Sequence, residues 1–299
     1  VEEPVDLGDV GALAQRQVQR HALEVGAAPN LLPGGRPVAD LTARTEIALA
    51  WQVPDLPSTA GRDTSAILDA VARRDLSALL VGGVEIADLP DPDAARAALA
   101  DAGFLVSLEI RRSAVTELAD VVLPVAAVPE KSGMFLDWEG RARPFGTALP
   151  EAGRLPDHRV LDALAQLMGI DLRCTDTAMI RRDLEHLGPW HGIRPPAPTV
   201  PAPQGDSGPP ETRRAVLATW RMLLDAGRLQ DAEPQLAATA RTAVARMSPG
   251  TAAGIGATEG SAVDIGTSRG AIVLPVQITE MVDGVVWVPM NSPGASVTT

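Results

Sequence analysis

LADVVLPVAAVPEKSGMFLDWEGRAR, the stretch from Leu118 to Arg143, decides the fold. Its apolar, β-branched run Val121–Pro124 ends at proline, which predicts a buried parallel strand of about four to six residues. The polar remainder contains two glycines and is predicted to be a loop. In open α/β sheets, ligands and partners bind at loops that follow the carboxyl ends of strands. This loop is therefore the first candidate site.

The loop is densely charged, with Glu130, Lys131, Asp137, Glu139 and Arg141 close together in sequence. Lys131 is the only lysine of the chain, and arginine supplies all of its other Lys or Arg side chains. Two interpretations stay open: a lysine that survived by chance in an arginine-rich composition, or a residue kept for a purpose. Ion pairs here are worth about 0–1 kcal/mol each if exposed. If they are buried, removing one partner costs about 3–5 kcal/mol.

The segment before the loop gives the clearest α/β pattern. Apolar strands are predicted at Ser77–Val81 and Phe104–Leu108, with a helix from Asp91 to Ala100 between them and a helical turn at Thr116–Ala119. Strand, helix, strand, turn and strand at these spacings predict parallel pairing with right-handed crossovers.

Gly82 and Gly83 follow the first of these strands. Nucleotides bind at this position in such sheets, because glycine lets backbone N–H groups approach a phosphate closely. A tight turn at the exit of a strand requires the same two residues, so both explanations remain open. Gly34-Gly35 also resembles a phosphate cradle, but no strand precedes it and no helix follows it, which argues against that role.

Other helices are predicted from capping residues and apolar periodicity. They cover Val10–Glu24, Asp40–Ala50, Asp63–Arg74, Asp157–Met168 and Thr177–Leu187. Asp157 is the predicted cap of its helix, whose apolar side is formed by Leu161, Leu164, Ala165 and Met168.

Composition excludes several function classes. The chain has 299 residues, 45% of them hydrophobic, so it is expected to fold into about two domains. A net charge of -12 and a pI near 4.8 argue against binding to nucleic acid or anionic lipid. A single cysteine, Cys174, cannot form an internal disulfide, an iron–sulfur cluster or a cysteine-ligated zinc site.

Metal and targeting signals are also missing. The four histidines show no metal-binding spacing, and no run of about eighteen apolar residues predicts a membrane span. The first residues, VEEPVDLGDV, lack the features of a signal peptide and do not resemble the natural start of a fold.

A proline-rich segment, Pro195–Pro210, is predicted to be an extended linker. It divides an α/β region (residues 1–194, predicted to be incomplete at its N-terminus) from residues 211–299. The latter begin with a predicted helix, Glu211–Ala226, and continue with short strands that indicate a small barrel or sandwich. Those strands are Val244–Met247, Ala262–Ile265, Ala271–Val276 and Val285–Val288, with a helical turn at Pro249–Gly256.

Several motifs together carry a family resemblance. They are Asn30–Arg36 (NLLPGGR), Leu80–Gly83 (LVGG), Ala119–Pro124 (ADVVLP), Glu130–Gly133 (EKSG), Glu139–Arg141 (EGR) and the segment Ser248–Pro289. With them the chain resembles the C-terminal part of the molybdopterin oxidoreductase superfamily, and within it the G subunits of NADH–quinone oxidoreductase, respiratory complex I. The resemblance covers nearly the whole chain. It implies a parallel-sheet α/β domain followed by a small β-barrel that is similar to a molybdopterin dinucleotide-binding domain.

The resemblance also implies what the chain works with. Family members begin with cysteine-rich domains that hold iron–sulfur clusters, so those clusters are expected in a missing N-terminal part, and this chain is expected to hold no cofactor of its own. Its partners would be that cluster-bearing part and the other peripheral-arm subunits of complex I. It would be located in the cytoplasm and associated with the membrane only through the complex. Neither nucleic acid nor direct membrane insertion is expected.

Residue by residue, the resemblance carries the cofactor loops onto Gly82, Gly83, Glu139 and Arg141 as vestigial binding candidates. The bulky segment Met134–Trp138 stands where redox-active relatives have smaller polar residues, and it would crowd a dinucleotide. No catalytic or metal-ligating residue is assigned. The resulting hypothesis is a non-catalytic scaffold portion of the G subunit. The alternatives are a fragment of a catalytic molybdopterin enzyme that binds a pterin dinucleotide, and a free-standing nucleotide module.

Overall fold

The computed structural model describes residues 28–136, 141–150, 153–194, 214–267 and 270–295. The chain divides into two compact units, Val1–Val200 and Pro201–Thr299. The predicted helix Val10–Glu24 and the predicted linker Pro195–Pro210 lie outside the described residues, so both stay predictions.

The first unit contains most of the predicted α/β elements. Its strands are β1 (Leu31–Leu32), β2 (Arg36–Pro37), β3 (Leu79–Gly82), β4 (Leu105–Glu109), β5 (Val121–Pro124), β6 (Gly133–Leu136) and β7 (Ala142–Phe145). Its α-helices are α1 (Leu41–Trp51), α2 (Thr64–Ala72), α3 (Pro92–Ala100), α4 (Ala114–Leu118), α5 (Asp157–Leu167) and α6 (Thr177–Leu187). Asp40, Asp63 and Asp91 each accept a backbone N–H at a helix start, as N-cap residues do.

The predicted parallel sheet is confirmed. Its strand order is β3-β4-β5, and both pairs are parallel. The crossover helices cover it with a core of Ile86, Ala95, Leu99, Leu105 and Val115, all at most 4% exposed. Gly82 and Gly83 therefore lie at the carboxyl edge of this sheet.

One burial prediction is wrong in the described part of this unit, and the apolar side of one predicted helix is partly exposed. Val121 and Val122 of β5 are 38% and 41% exposed, because β5 stands at the end of the sheet. On α5, Ala165 is buried, but Leu161 and Leu164 are each 37% exposed and Met168 is 68% exposed. The apolar pattern predicts the positions of these elements correctly. It does not predict which of their apolar side chains are buried by the described residues.

The polar part of the central stretch is a hairpin rather than a loop. β6 and β7 pair antiparallel, with Gly133 opposite Phe145. Phe135 and Phe145 stack with their ring centroids 4.7 Å apart. A Cβ on Gly133 would lie 2.5 Å from Phe145 Cζ, so glycine makes room for that ring. The stacked aromatic rings thus join β6 to β7.

The second unit is mainly β. Its elements are β8 (Val216–Arg221), α7 (Pro234–Ala237), β9 (Ala245–Met247), α8 (Pro249–Ile255), β10 (Ala262–Thr267), β11 (Gly270–Ile278) and β12 (Val285–Met290). The five strands form one mixed sheet in the order β10-β11-β9-β12-β8, with β10 and β8 at its two ends. Its core contains Met247, Leu274, Val276 and Val288.

The four short strands and the helical turn predicted for this unit are confirmed. The predicted helix Glu211–Ala226 is wrong over its described part, where β8 pairs in parallel with β12. Val216 lies opposite Val285, and Trp220 lies opposite Pro289. Pairing with a strand about seventy residues later has overridden the helical spacing of the leucines, as tertiary context often does.

Candidate functional site

At the Gly82-Gly83 turn, the backbone N–H of Gly83 is not a free donor. Gly82 lies opposite Leu108 in the sheet, and the N–H of Gly83 donates to the Leu108 carbonyl at 3.2 Å. Gly83 has φ +61°, which by itself explains a glycine there. A Cβ on Gly83 would meet no atom of the described residues within 4 Å, so none of them requires its absence. The positive φ and the bond to Leu108 are those of a turn at the exit of a strand.

Two further residues, Glu139 and Arg141, are predicted binding candidates. Arg141 is exposed just before β7, and Glu139 lies outside the described residues. Nearer to the turn, Glu85 and Arg111 approach to 3.7 Å at the carboxyl edge of the sheet. The negative charge of Glu85 and the positive charge of Arg111 therefore offset each other at this edge of the sheet.

The EKSG motif attaches the hairpin to the neighbouring helices. The hydroxyls of Ser132 and Thr177 lie 2.9 Å apart, and the Arg181 guanidinium donates to the Gly133 carbonyl at 2.7 Å. Lys131 forms an ion pair with Asp157 at the start of α5. Asp157 is therefore not the helix cap that the sequence predicts, because Pro156 occupies the cap position.

Glu130 completes this attachment. Its carboxylate accepts the Ala127 N–H at 2.9 Å and lies 3.4 Å from Arg154. Glu130 and Lys131 thus act within the first unit as structural residues. Their polar groups hold the hairpin at its root.

Sequence reasoning missed the most elaborate polar contact, which is made by Arg36. Its side chain is 2% exposed and donates to Glu46 Oε2 at 2.8 Å. It also donates to the carbonyls of Leu187 at 2.8 Å and Gly188 at 3.2 Å, at the end of α6. The Trp190 ring lies 5.7 Å from the guanidinium carbon. The available signal was a single cation inside the apolar, glycine-rich NLLPGGRPV segment.

Gly34 makes the Arg36 contact sterically feasible. Gly34 has φ +73°, and a Cβ there would lie 2.6 Å from Arg36 Nη1. The guanidinium cannot move aside cheaply, because its hydrogen bonds fix it in a buried position. The Gly-Gly pair of this motif therefore makes room for a side chain of the same protein.

In the second unit, polar groups near the start of α8 are also hydrogen-bonded to one another. Ser248 is 1% exposed and donates to Asp283. The Thr251 N–H donates to Ser248 Oγ at 3.0 Å, and the Gly284 N–H donates to Thr251 Oγ1 at 2.9 Å. Gly250 faces the Asp283 carboxylate, which would lie 2.6 Å from a Cβ.

These observations decide whether the described residues fit a pterin dinucleotide, the group that the resemblance implies for redox-active relatives. A dinucleotide pyrophosphate needs free N–H groups or cations. At the sheet edge the Gly83 N–H is engaged, and near α8 a carboxylate faces the glycine. The Gly83 N–H and the position that faces Gly250 therefore do not fit a pyrophosphate, and no chemical step is derived through the group.

Two titratable side chains are perturbed. Burial lowers the pKa of His158, and the neighbouring Arg159 lowers it further. Burial also raises the pKa of the Cys174 thiol, with Asp162 acting in the same direction. A raised thiol pKa reduces the reactive thiolate fraction at neutral pH, which agrees with an inert cysteine. In the described ranges, no group of three or more His, Cys, Asp and Glu residues is placed to hold a metal ion.

Comparisons with known proteins follow the two units. The family model for molybdopterin oxidoreductase matches residues 8–166. The model for the molybdopterin dinucleotide binding domain matches residues 227–299. Over the described ranges, no helix combines the length and apolarity that crossing a membrane would require.

Two curated relatives cover almost the whole chain. The NADH-quinone oxidoreductase G subunit of Mycobacterium tuberculosis is 54% identical over 289 residues, which are 95% of this chain and 35% of the relative. The protein of the same name in Streptomyces coelicolor is 50% identical over 290 residues, 95% of this chain and 34% of the relative. The chain therefore spans about a third of the length of these relatives. Among solved structures, acetylene hydratase from Pelobacter acetylenicus matches with a TM-score of 0.48 and 16% identity, over 78% of this chain and 40% of that chain.

Proposed function

Because the chain belongs to the molybdopterin oxidoreductase family, we propose that it is the C-terminal scaffold portion of a G subunit of NADH–quinone oxidoreductase. The observation that carries this proposal is the 54% identity to a protein of that name over 95% of the chain. On this proposal the chain contributes shape to the peripheral arm that passes electrons from NADH to quinone. It holds no redox centre and is not catalytic alone.

The chemistry of the described residues supports a structural role. Polar groups in three of the family motifs are engaged inside the chain: the Gly83 N–H with Leu108, Lys131 with Asp157, and Ser248 with Asp283. The single cysteine, Cys174, cannot ligate a cluster without donors from elsewhere. Polar groups that are engaged in this way stabilise the fold of the chain, and its surface remains available for contact with neighbouring subunits.

The proposal places the electron carriers and partners elsewhere. Iron–sulfur clusters would lie in the part of the subunit that this chain does not cover. The chain would contact that part and other peripheral-arm subunits. It would be cytoplasmic and reach the membrane through the complex.

An exchange within a related complex tests the proposal. In the Mycobacterium tuberculosis G subunit, the matched 289 residues are replaced by this chain, and the purified complex is assayed for NADH–quinone activity. We expect the complex to assemble and to retain most of its activity. The same exchange with the matched part of the Streptomyces coelicolor protein is the control. Failure of this chain to support assembly, where the control succeeds, would contradict the proposal.

A further inference from the structure

An apolar cleft in the first unit is not explained by the contacts described so far. Its volume is about 1450 Å³, and it lies between α1 with the residues that follow it, and α6 with the segment before it. We call it the α1–α6 cleft. Six of its lining side chains are large, apolar and 38–74% exposed: Leu49, Trp51, Val53, Ile170, Leu172 and Leu184. Large apolar patches of this kind mark interaction sites.

The walls of the cleft are held in place by two arginines. Arg36 joins Glu46 of α1 to the last carbonyls of α6. Arg173 donates to the Ala50 carbonyl at 2.8 Å, which ties the segment before α6 to the end of α1. The cleft is therefore formed before any partner arrives, which lowers the entropy lost on binding.

The backbone at the lip of the cleft is also unusual. Arg173 has φ +51° and Gln52 has φ +56°, a region that non-glycine residues rarely adopt. The Arg173 N–H is held in that conformation by Asp171 Oδ1 at 2.8 Å. Two of the five non-glycine residues with positive φ in the described part of the chain thus line this one cleft. Such conformations persist where the surrounding structure holds them, often at functional positions.

The charges at the cleft indicate the chemistry of its occupant. Asp40, Glu46, Asp171 and Asp183 supply four carboxylates along it, and Arg36 and Arg173 supply two guanidinium groups. The two lining arginines, Arg36 and Arg173, are committed to the walls themselves. An apolar lining with more carboxylates than guanidinium groups fits a segment whose apolar side chains are bordered by arginine or lysine.

The length of the relatives points to one source for this segment. This chain covers 35% of the Mycobacterium tuberculosis protein, so about two thirds of that protein lies outside the match. A part of the same polypeptide is present at a high effective concentration, which favours it over a separate partner. We propose that the α1–α6 cleft receives an apolar segment with a basic border from the uncovered part of the same subunit. This inference rests on the proposed function.

The test uses the exchanged subunit described above with a protease site at the junction between its two parts. After cleavage, size-exclusion chromatography over a range of concentrations gives the dissociation constant of the two parts. Leu49→Asp or Leu184→Asp places a charge in the cleft and is expected to weaken association by about 30-fold or more, as for a central interface residue. Asp183→Arg reverses the charge of one lining side chain and is expected to weaken association less.

Matched controls separate this effect from general damage. Leu167 is an 88% exposed leucine near the end of α5, outside the cleft, so Leu167→Asp should leave association unchanged. Asp69→Arg on α2 is the charge control. Equal association of the cleft and control variants would overturn the inference, as would separation of the unsubstituted parts. Self-association of the isolated chain through the cleft would also overturn it. The activity of the uncut exchanged subunit reports on the proposed function independently.

Discussion

Gly34-Gly35 and Gly82-Gly83 look alike in sequence but have different neighbours in space. A Cβ on Gly34 would lie 2.6 Å from Arg36 Nη1, whereas a Cβ on Gly83 would meet no atom of the described residues within 4 Å. Both pairs include a positive φ. The first pair makes room for a buried guanidinium, and the second only turns the chain at the end of a strand.

The comparison teaches how a glycine pair should be interpreted in this fold. A phosphate cradle needs free N–H groups together with space that a ligand can enter. Gly34 has its space filled by Arg36, and Gly83 has its N–H engaged by Leu108. At Gly34 the space is therefore taken, and at Gly83 the backbone donor is taken.

The largest expected effect comes from removing the buried guanidinium. Arg36→Met leaves the Leu187 and Gly188 carbonyls without their charged donor and should destabilise the first unit by about 3 kcal/mol. Hydrogen exchange of α1 and α6 amides measures this, because it reports on the unit that contains them. Arg143→Met, at an exposed position of β7, is the control and should change little. Equal exchange in both variants would show that the Arg36 contacts contribute nothing.

The next prediction compares the two glycine pairs directly. Gly83→Ala adds only the strain of a positive φ, about 1 kcal/mol. Gly34→Ala adds a clash with the fixed Arg36 to similar strain and should cost about 1–3 kcal/mol more. Urea unfolding of both variants gives the difference. A Gly83→Ala chain as unstable as Gly34→Ala would mean that the space near Gly83 is needed after all.

A smaller effect is expected at Lys131. Its partner Asp157 is 48% exposed, so solvent screens the ion pair. Lys131→Met should therefore lower stability by about 0.5–1 kcal/mol, and added molar salt should remove most of that difference. Unchanged stability at low salt would favour the interpretation that the lone lysine is incidental.

The smallest expected effect concerns pH. Burial lowers the pKa of His158 in the folded state, although Asp157, Asp162 and Asp176 oppose it. The unfolded chain therefore takes up the proton first, so stability is retained above about pH 6.5 and falls as the pH decreases below it. His158→Asn should flatten the decline between about pH 7.5 and 5.5. A steeper decline in the variant would contradict the direction of this shift.

Local signals explain why most of the fold could be predicted. Caps such as Asp63 and Asp91 and the strand-terminating Pro124 act within a few residues, and the elements they mark are present. The helical prediction over β8 is wrong because its partner β12 is distant in sequence. The hairpin is not predicted from the sequence, and its Phe135–Phe145 stack is visible only in three dimensions.

The candidate site was less predictable for the same reason. Arg36 lies 151 residues from Leu187 along the chain, and no pattern near Arg36 reveals that contact. Gly82 and Gly83 were correctly placed at the edge of the sheet, but the engagement of the Gly83 N–H becomes visible only in three dimensions. Local patterns locate such residues, and their hydrogen bonds decide what they can do.

One measurement tests the scaffold account most directly. The chain is purified from cells that supply iron, molybdenum and tungsten cofactors, and its metal content per chain is determined together with its absorption spectrum. The account predicts less than stoichiometric metal and no iron–sulfur or pterin bands. About one metal cofactor per chain, with the matching absorption bands, would contradict it.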